Sequence, residues 1–324
     1  MKFGCHSMVA PLRRVIVKNP EAAFRNQATI ESQWERLNFL GPPQYELALK
    51  EHEFLVRLLR ESGAEVLFLD ADDRTNLDSI YTHDPGIITE AGAILFQTGK
   101  ELRRGEGPAM SDALRGWDIE ILGTIEGKGT AEGGDLVWID PQTLLVGNGF
   151  RTNAAGISAL RTLLAPLNVN VIELHLPYGQ GPADLLHLMS FLSLLDDDLA
   201  VVHRPWMPVP LYELLQSRGI RMIDVAPEEY DTLGCNVLAI APRDLLMVEG
   251  NPITRARLQE AGCRVQEFSG REIAYKGSGG PTCLTRPLLR MWRAPALRPA
   301  PGVSTFETSS PMRIVFGSDP HSIL

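Results

Sequence analysis

The chain has 324 residues, with 31 Lys and Arg against 40 Asp and Glu, for a formal net charge of −9. Such an excess of acid counts against nucleic acid and anionic membrane as partners. A content of 44% apolar and 22% charged residues excludes a wholly disordered chain, and no run approaches the roughly 20 apolar residues that a membrane-spanning helix needs.

In chain order, the segment Met1 to Ser7 carries one Lys and no long apolar stretch behind it, so no secretory leader is expected and the cytoplasm is the expected compartment. The apolar run Arg14 to Val17 reads as a strand with no helix ahead of it. From there one phrase recurs: a Leu- and Ala-rich helical stretch, a Gly or Asn break, and a short β-rich run. The breaks fall at Gly63, Gly116, Asn168, Gly219 and Gly262, each followed by a strand candidate beginning near Val66, Ile119, Val171, Met222 and Val265. A left-handed residue at the end of a helix accounts for these breaks, because Gly and Asn tolerate that backbone best. Strand-turn-strand candidates lie between the copies, over 87–97, 136–146, 190–202 and 237–248, with turns near Ala91-Gly92, Asp140-Pro141, Asp196 to Asp198 and Pro242 to Asp244.

Helix, strand and hairpin repeated five times predict an α/β fold of five ββαβ-type units closed radially, as propellers close. Arg14 to Val17 would then supply the missing strand of the last unit. Residues 1–293 form the predicted single domain. Residues 294–324 open on Ala294-Pro295-Ala296 and continue Pro-rich, which predicts an extended C-terminal segment.

Five polar stretches interrupt this frame. They are Asp78 to Asp84, Glu132-Gly133-Gly134-Asp135, Gly147 to Asn153, His187-Leu188-Met189, and Gly277 to Thr285 with Cys283 behind a Gly-rich loop. Cys5, Cys235, Cys263 and Cys283 have no C-x-x-C spacing, so neither a disulfide framework nor a structural zinc site is expected. No His pair stands at the spacing of a catalytic metal site, and Gly123 to Gly129 lacks the Walker pattern; no metal or other cofactor is expected. A thiol, an imidazole and several carboxylates at element ends suit chemistry on a cation, which the carboxylates hold while the thiolate attacks.

These motifs, in this order, resemble the pentein or guanidine-modifying superfamily, and most closely its dimethylarginine dimethylaminohydrolases. Asp78-Ser79-Ile80-Tyr81-Thr82-His83-Asp84 is similar to that group's D-S-[VI]-[FY]-x-x-D, Glu132 to Asp135 to the superfamily's E-G-G-D, His187-Leu188 to its catalytic His-Leu, and Gly279 to Thr285 to the segment presenting its nucleophile. The resemblance implies a pentein fold, with Cys283 as nucleophile, His187 as acid and base, and Glu132 facing the guanidinium. It makes Asp78 and Asp84 substrate clamps, and Arg104 and Arg151 ligands of an α-carboxylate. Met189 stands where deiminases and amidinotransferases usually carry an Asp, and His83 where an acidic residue often precedes the second clamp. The implied activity is hydrolysis at the guanidinium carbon of arginine or an N-substituted arginine, through a thiouronium adduct and without a cofactor. The implied partner is thus a small cationic guanidino substrate. An amidinotransferase with the same adduct, and a non-catalytic pentein that only binds, are the alternatives; oligomeric state, a homo-oligomer included, stays open.

Overall fold

The computed structural model describes residues 3–182 and 186–291. The expected C-terminal extension, 294–324, lies outside them. Five three-stranded mixed sheets account for the described strands. The first joins β1 (Leu12–Val17), β2 (Glu65–Phe68) and β15 (Arg286–Arg290). The others are β3 (Gly86–Thr89), β4 (Gly92–Phe96) and β5 (Ile121–Ile125); β6 (Leu136–Asp140), β7 (Thr143–Asn148) and β8 (Asn170–His175); β9 (Leu192–Asp196), β10 (Leu199–Val202) and β11 (Arg221–Asp224); and β12 (Leu238–Ala241), β13 (Asp244–Val248) and β14 (Arg264–Phe268).

Each sheet follows one rule. An antiparallel hairpin pairs its second strand, in parallel, with the strand that follows the next helix. Parallel pairing needs a crossover. The crossover helices are α3 (Tyr45–Glu61), α4 (Glu106–Gly116), α5 (Ala154–Leu164), α6 (Val209–Ser217) and α7 (Pro252–Glu260), after two short helices, α1 (Pro20–Ala23) and α2 (Gln27–Gln33), near the N-terminus. Helix α3 shows how a helix earns its place: Ala48, Leu55, Val56, Leu58 and Leu59 form one apolar face that is buried against the sheet side of the fold.

Burial orders each sheet from inside out. Strands β3 and β4 are buried throughout, as are nearly all of β6 and β7, whereas the last strands β2, β5, β8, β11 and β14 consist mostly of exposed and half-buried residues. Leading strands of neighbouring sheets touch, β15 with β3 and β9 with β12. The hairpins therefore face the middle and the helices the rim, which is the expected five-unit α/β propeller. Closure uses both chain ends: β1 pairs antiparallel with β15, so the N-terminal run supplies the hairpin partner missing from the last unit.

The helix stops agree with the sequence except at one place. Gly63, Asn168, Gly219 and Gly262 take the left-handed conformation, but in the second unit Asp118 does so and Gly116 ends the helix itself. The strand there consequently starts at Ile121, two residues later than the pattern of Ile119 to Leu122 suggests. Asp is one of the few residues besides Gly and Asn that visits this region with little strain.

Candidate active site

The polar stretches occupy one recurring position, the turn that leads into the first strand of each hairpin. Asp84 precedes β3, Glu132 precedes β6, His187 precedes β9, Asn236 precedes β12 and Cys283 precedes β15. Because those strands are the inner ones, fivefold repetition gathers five turns at one end of the middle of the molecule. Asn236 escaped the sequence reading; the repeat held the signal, since the fourth hairpin had no polar residue assigned at its entry.

Glu132 is fully buried, with Oε2 2.7 Å from His187 Nε2 and 3.5 Å from Arg151 Nη1. Its Oε1 accepts the backbone N–H of Lys100 at 3.1 Å. Asp84 Oδ2 lies 2.6 Å from Arg103 Nη1, and Asp84 Oδ1 accepts the N–H of Gly134 at 3.0 Å. Asp135 accepts the N–H of Leu188 at 3.0 Å, which fixes the backbone that carries His187. Gly134 leaves room for the His187 ring, because a Cβ there would collide with Nδ1. Cys283 is half-buried and its Sγ accepts from Asn236 Nδ2 at 3.2 Å. Further back, buried Glu51 of α3 accepts the N–H groups of Arg271, Glu272 and Ile273, anchoring the turn from which the Cys283 loop departs.

Electrostatics sets the protonation states. Burial alone would lower the pKa of His187, but Asp135, the hydrogen bond to Glu132 and Asp84 outweigh it and hold it up at about 9. Burial would likewise raise Glu132, yet His187 and Arg151 draw it well below the usual carboxylate range. The pair is therefore an imidazolium and a carboxylate at neutral pH. Burial, and next the Asp84 carboxylate, push the Cys283 thiol up to about 12, against the stabilising Asn236 amide and Gly280 N–H. The free site thus stores a thiol. Alkylation of Cys283 in the unliganded protein is expected to accelerate about tenfold per pH unit over roughly pH 7 to 10; peptide mapping of carboxamidomethylation reads this, and a plateau near pH 8 would contradict it. Cys5, Cys235 and Cys263 are buried and their thiols are likewise raised by burial.

A cavity of about 160 Å³ reaches Cys283, His187 and Gly134 and is also lined by Trp206, Tyr230, Asp231 and Cys235. A larger cavity, about 370 Å³, is lined by Lys18, Phe68, Glu106 and Trp117 and reaches neither Cys283 nor His187. Of the expected residues, Asp84, Glu132, Arg151 and His187 form one connected buried group. Asp78 is buried beside Lys100, 2.7 Å from its Nζ. Arg104 stands apart: its side chain is about half exposed and lies 3.7 Å from Glu101. Its neighbour Arg103 is the buried arginine, bridging Asp84 and Glu106. Burial raises Glu106 to about 7 in spite of that partner. Arg103→Met would leave two buried carboxylates without a counter-charge, at a cost of about 3 kcal/mol of stability, measurable as a lowered urea midpoint with unchanged slope. His83, beside Asp84, is buried and does not line the cavity; its Nδ1 lies 2.8 Å from Thr285 O. Burial and Arg286 hold it neutral, with a pKa near 3.

Asp84, Glu132 and His187 bring ligand atoms within 4.8 Å of one another, the spacing of a cation site. Each of those atoms already serves the Arg103, Gly134 or His187–Glu132 contacts, and a metal would have to compete with them.

A family profile described as eukaryotic N,N dimethylarginine dimethylhydrolase matches residues 19–290. A dimethylarginine dimethylaminohydrolase of Streptomyces coelicolor is 29% identical over 253 residues, covering 78% of this chain and 88% of that protein. The one from Pseudomonas aeruginosa is 27% identical over 248 residues, with coverages of 76% and 90%. The fold matches a solved dimethylarginine dimethylaminohydrolase carrying an S-methyl-L-thiocitrulline adduct, with TM-score 0.69 at 23% identity over 85% of this chain and 99% of that one. It also matches an amidinotransferase from Microseira wollei, with TM-score 0.72 at 15% identity over 90% and 98%. Among the described residues no helix is long and apolar enough to cross a membrane.

Proposed function

The chain belongs to the N,N-dimethylarginine dimethylhydrolase family, and from that premise we propose that it is a cysteine-dependent hydrolase acting at the guanidinium carbon of arginine or an N-substituted arginine. The observation that carries this reading is the placement of a half-buried thiol, Cys283, and an imidazolium, His187, on one cavity, whose second thiol, Cys235, is buried and held protonated by that burial.

In this reading Asp78, Asp84 and Glu132 surround the substrate's charged plane, while Arg151 takes its α-carboxylate. Arg151 Nη1 is buried and has no hydrogen-bond partner among the described residues, which leaves it a donor to offer. Arg104, being exposed, would need to fold inward to share that role. A guanidinium is resonance-stabilised and a poor electrophile, so orientation against the thiolate supplies much of the rate. The cation offsets the carboxylate charge beside Cys283, and ionisation of the thiol is thereby coupled to substrate binding. Cys283 attacks the guanidinium carbon, His187 gives its proton to the departing amine, and the C–N bond breaks to leave a thiouronium on sulfur. Neutral His187 then takes a proton from water, which adds to the same carbon and releases the thiol and a ureido product. The residues themselves supply the acid, base and nucleophile, and the reading requires no cofactor.

Mass-spectrometric product analysis with arginine, methylated arginines, agmatine and guanidinoacetate, with and without glycine, tests this. A ureido product formed without glycine supports hydrolysis; product only with glycine assigns an amidinotransferase; and no product from any substrate, with an unreactive Cys283, leaves a binding protein.

A further inference from the structure

Lys100 stands in the loop between β4 and α4 and touches two of the three carboxylates assigned to the guanidinium. Its Nζ is 2.7 Å from Asp78 Oδ2 and donates to Leu37 O at 2.7 Å, while its backbone N–H donates to Glu132 Oε1 at 3.1 Å. The Asp78 and Lys100 side chains are only 6% and 17% exposed. Each of the three carboxylates assigned to the guanidinium thus has a resident cation: Lys100 for Asp78, Arg103 for Asp84, His187 and Arg151 for Glu132. These cations are not equally fixed. Arg103 is locked between two carboxylates and Tyr81 O. Lys100 holds Asp78 by one ammonium, shared with Leu37 O, on a four-carbon stem, and its backbone N–H to Glu132 does not depend on where that ammonium points.

We propose that Lys100 is a specificity-determining residue: its ammonium is the resident counter-ion of Asp78, and a ligand enters by displacing it. An ammonium is a compact, strongly hydrated point charge, whereas a guanidinium presents parallel N–H donors that match a carboxylate. Exchange of Lys100 for a guanidinium therefore gains a two-pronged contact. Exchange for an alkylammonium replaces one ammonium by another and gains nothing. Lys100 in this way discriminates guanidino compounds from amines of the same length. The inference rests on the guanidino reading of the site, and its test uses binding alone.

Calorimetric titration of the full chain with arginine and with lysine is the experiment, on the parent, Lys100→Met and Lys100→Arg, with thermal unfolding of each as a check. Removing a partly buried competing charge is expected to tighten arginine about tenfold in Lys100→Met and to make lysine a ligand. Lys100→Arg installs the stronger competitor and should weaken arginine by a similar factor, about tenfold. In an Asp78→Asn background residue 100 should no longer matter, because the contested anion is gone. Arginine affinity unchanged or weakened in Lys100→Met, at normal thermal stability, overturns the proposal, as does absence of arginine binding in all three proteins. Should Lys100→Met fail to fold, a tighter or equal arginine affinity in Lys100→Arg overturns it. Tighter arginine binding in Lys100→Met without any turnover would sink the hydrolase reading and leave this one standing; turnover with an affinity blind to residue 100 would do the reverse.

Discussion

Cys283→Ser is expected to abolish turnover of every guanidino substrate, with a loss of at least about 10⁴-fold in kcat, while the fold and its thermal midpoint stay within the range of ordinary surface variants. A hydroxyl is nearly isosteric with the thiol, so the Asn236 contact and the loop from Gly277 survive. What disappears is the nucleophile, since a serine hydroxyl in this position has no neutral base beside it: His187 is held as imidazolium by Glu132, Asp135 and Asp84. Intact-protein mass spectrometry of the parent, quenched during turnover, should show an adduct on the Cys283 peptide that the variant lacks. Turnover by Cys283→Ser within tenfold of the parent would remove Cys283 from the chemistry.

Glu132→Gln has the second largest expected effect, about 10³-fold in kcat/KM at neutral pH. The amide keeps the shape but removes the charge that lies 2.7 Å from His187 Nε2 and pairs with Arg151. The imidazole pKa then falls from about 9 toward its ordinary 6.5, so the alkaline limb of the kcat/KM profile moves down by one to two pH units. The sign of the stability effect follows from the same shifts. His187 is raised in the folded state, so its contribution is complete below its ordinary pKa and is lost as the pH climbs through about 9. Glu132 is depressed, so its contribution is present above the ordinary carboxylate pKa and is lost as acid titrates the folded carboxylate. The parent should accordingly be most stable between those limits, and Glu132→Gln should flatten both flanks in urea titrations across pH. An unmoved alkaline limb would show that His187 draws its charge from elsewhere.

Local pattern carried much of this molecule. Helix, left-handed stop and strand are decided by residues within a few positions of one another, which is why Gly63, Asn168, Gly219 and Gly262 were readable and why the hairpin turns near Ala91, Asp140 and Pro242 fell where expected. The one misplaced stop, Gly116 in place of Asp118, turned on which of two permissive residues takes the left-handed conformation. Asp84, Glu132, His187 and Cys283 stood out in the sequence because each sits at the same point of a repeated unit, and Asp78 because it opens the same polar stretch as Asp84.

Charge pairing was not legible, and it alters the account of the site. Nothing local distinguishes Arg103 from Arg104, yet one is 3% exposed between Asp84 and Glu106 and the other is 47% exposed at the surface. Nothing local marks Lys100 as the partner of Asp78, across the hairpin of one unit, or Asn236 as the donor to Cys283, which belongs to a different unit of the repeat. The sequence by itself determined the five-unit architecture, because backbone propensity and apolar periodicity act over short stretches, and its motifs singled out Cys283, His187, Glu132 and Asp84 as the candidate site residues. Only the tertiary structure decided which cation neutralises which carboxylate and that the Cys283 thiol keeps its proton beside Asp84, because desolvation and Coulomb interactions depend on distances between residues that the chain separates and the closed propeller brings together.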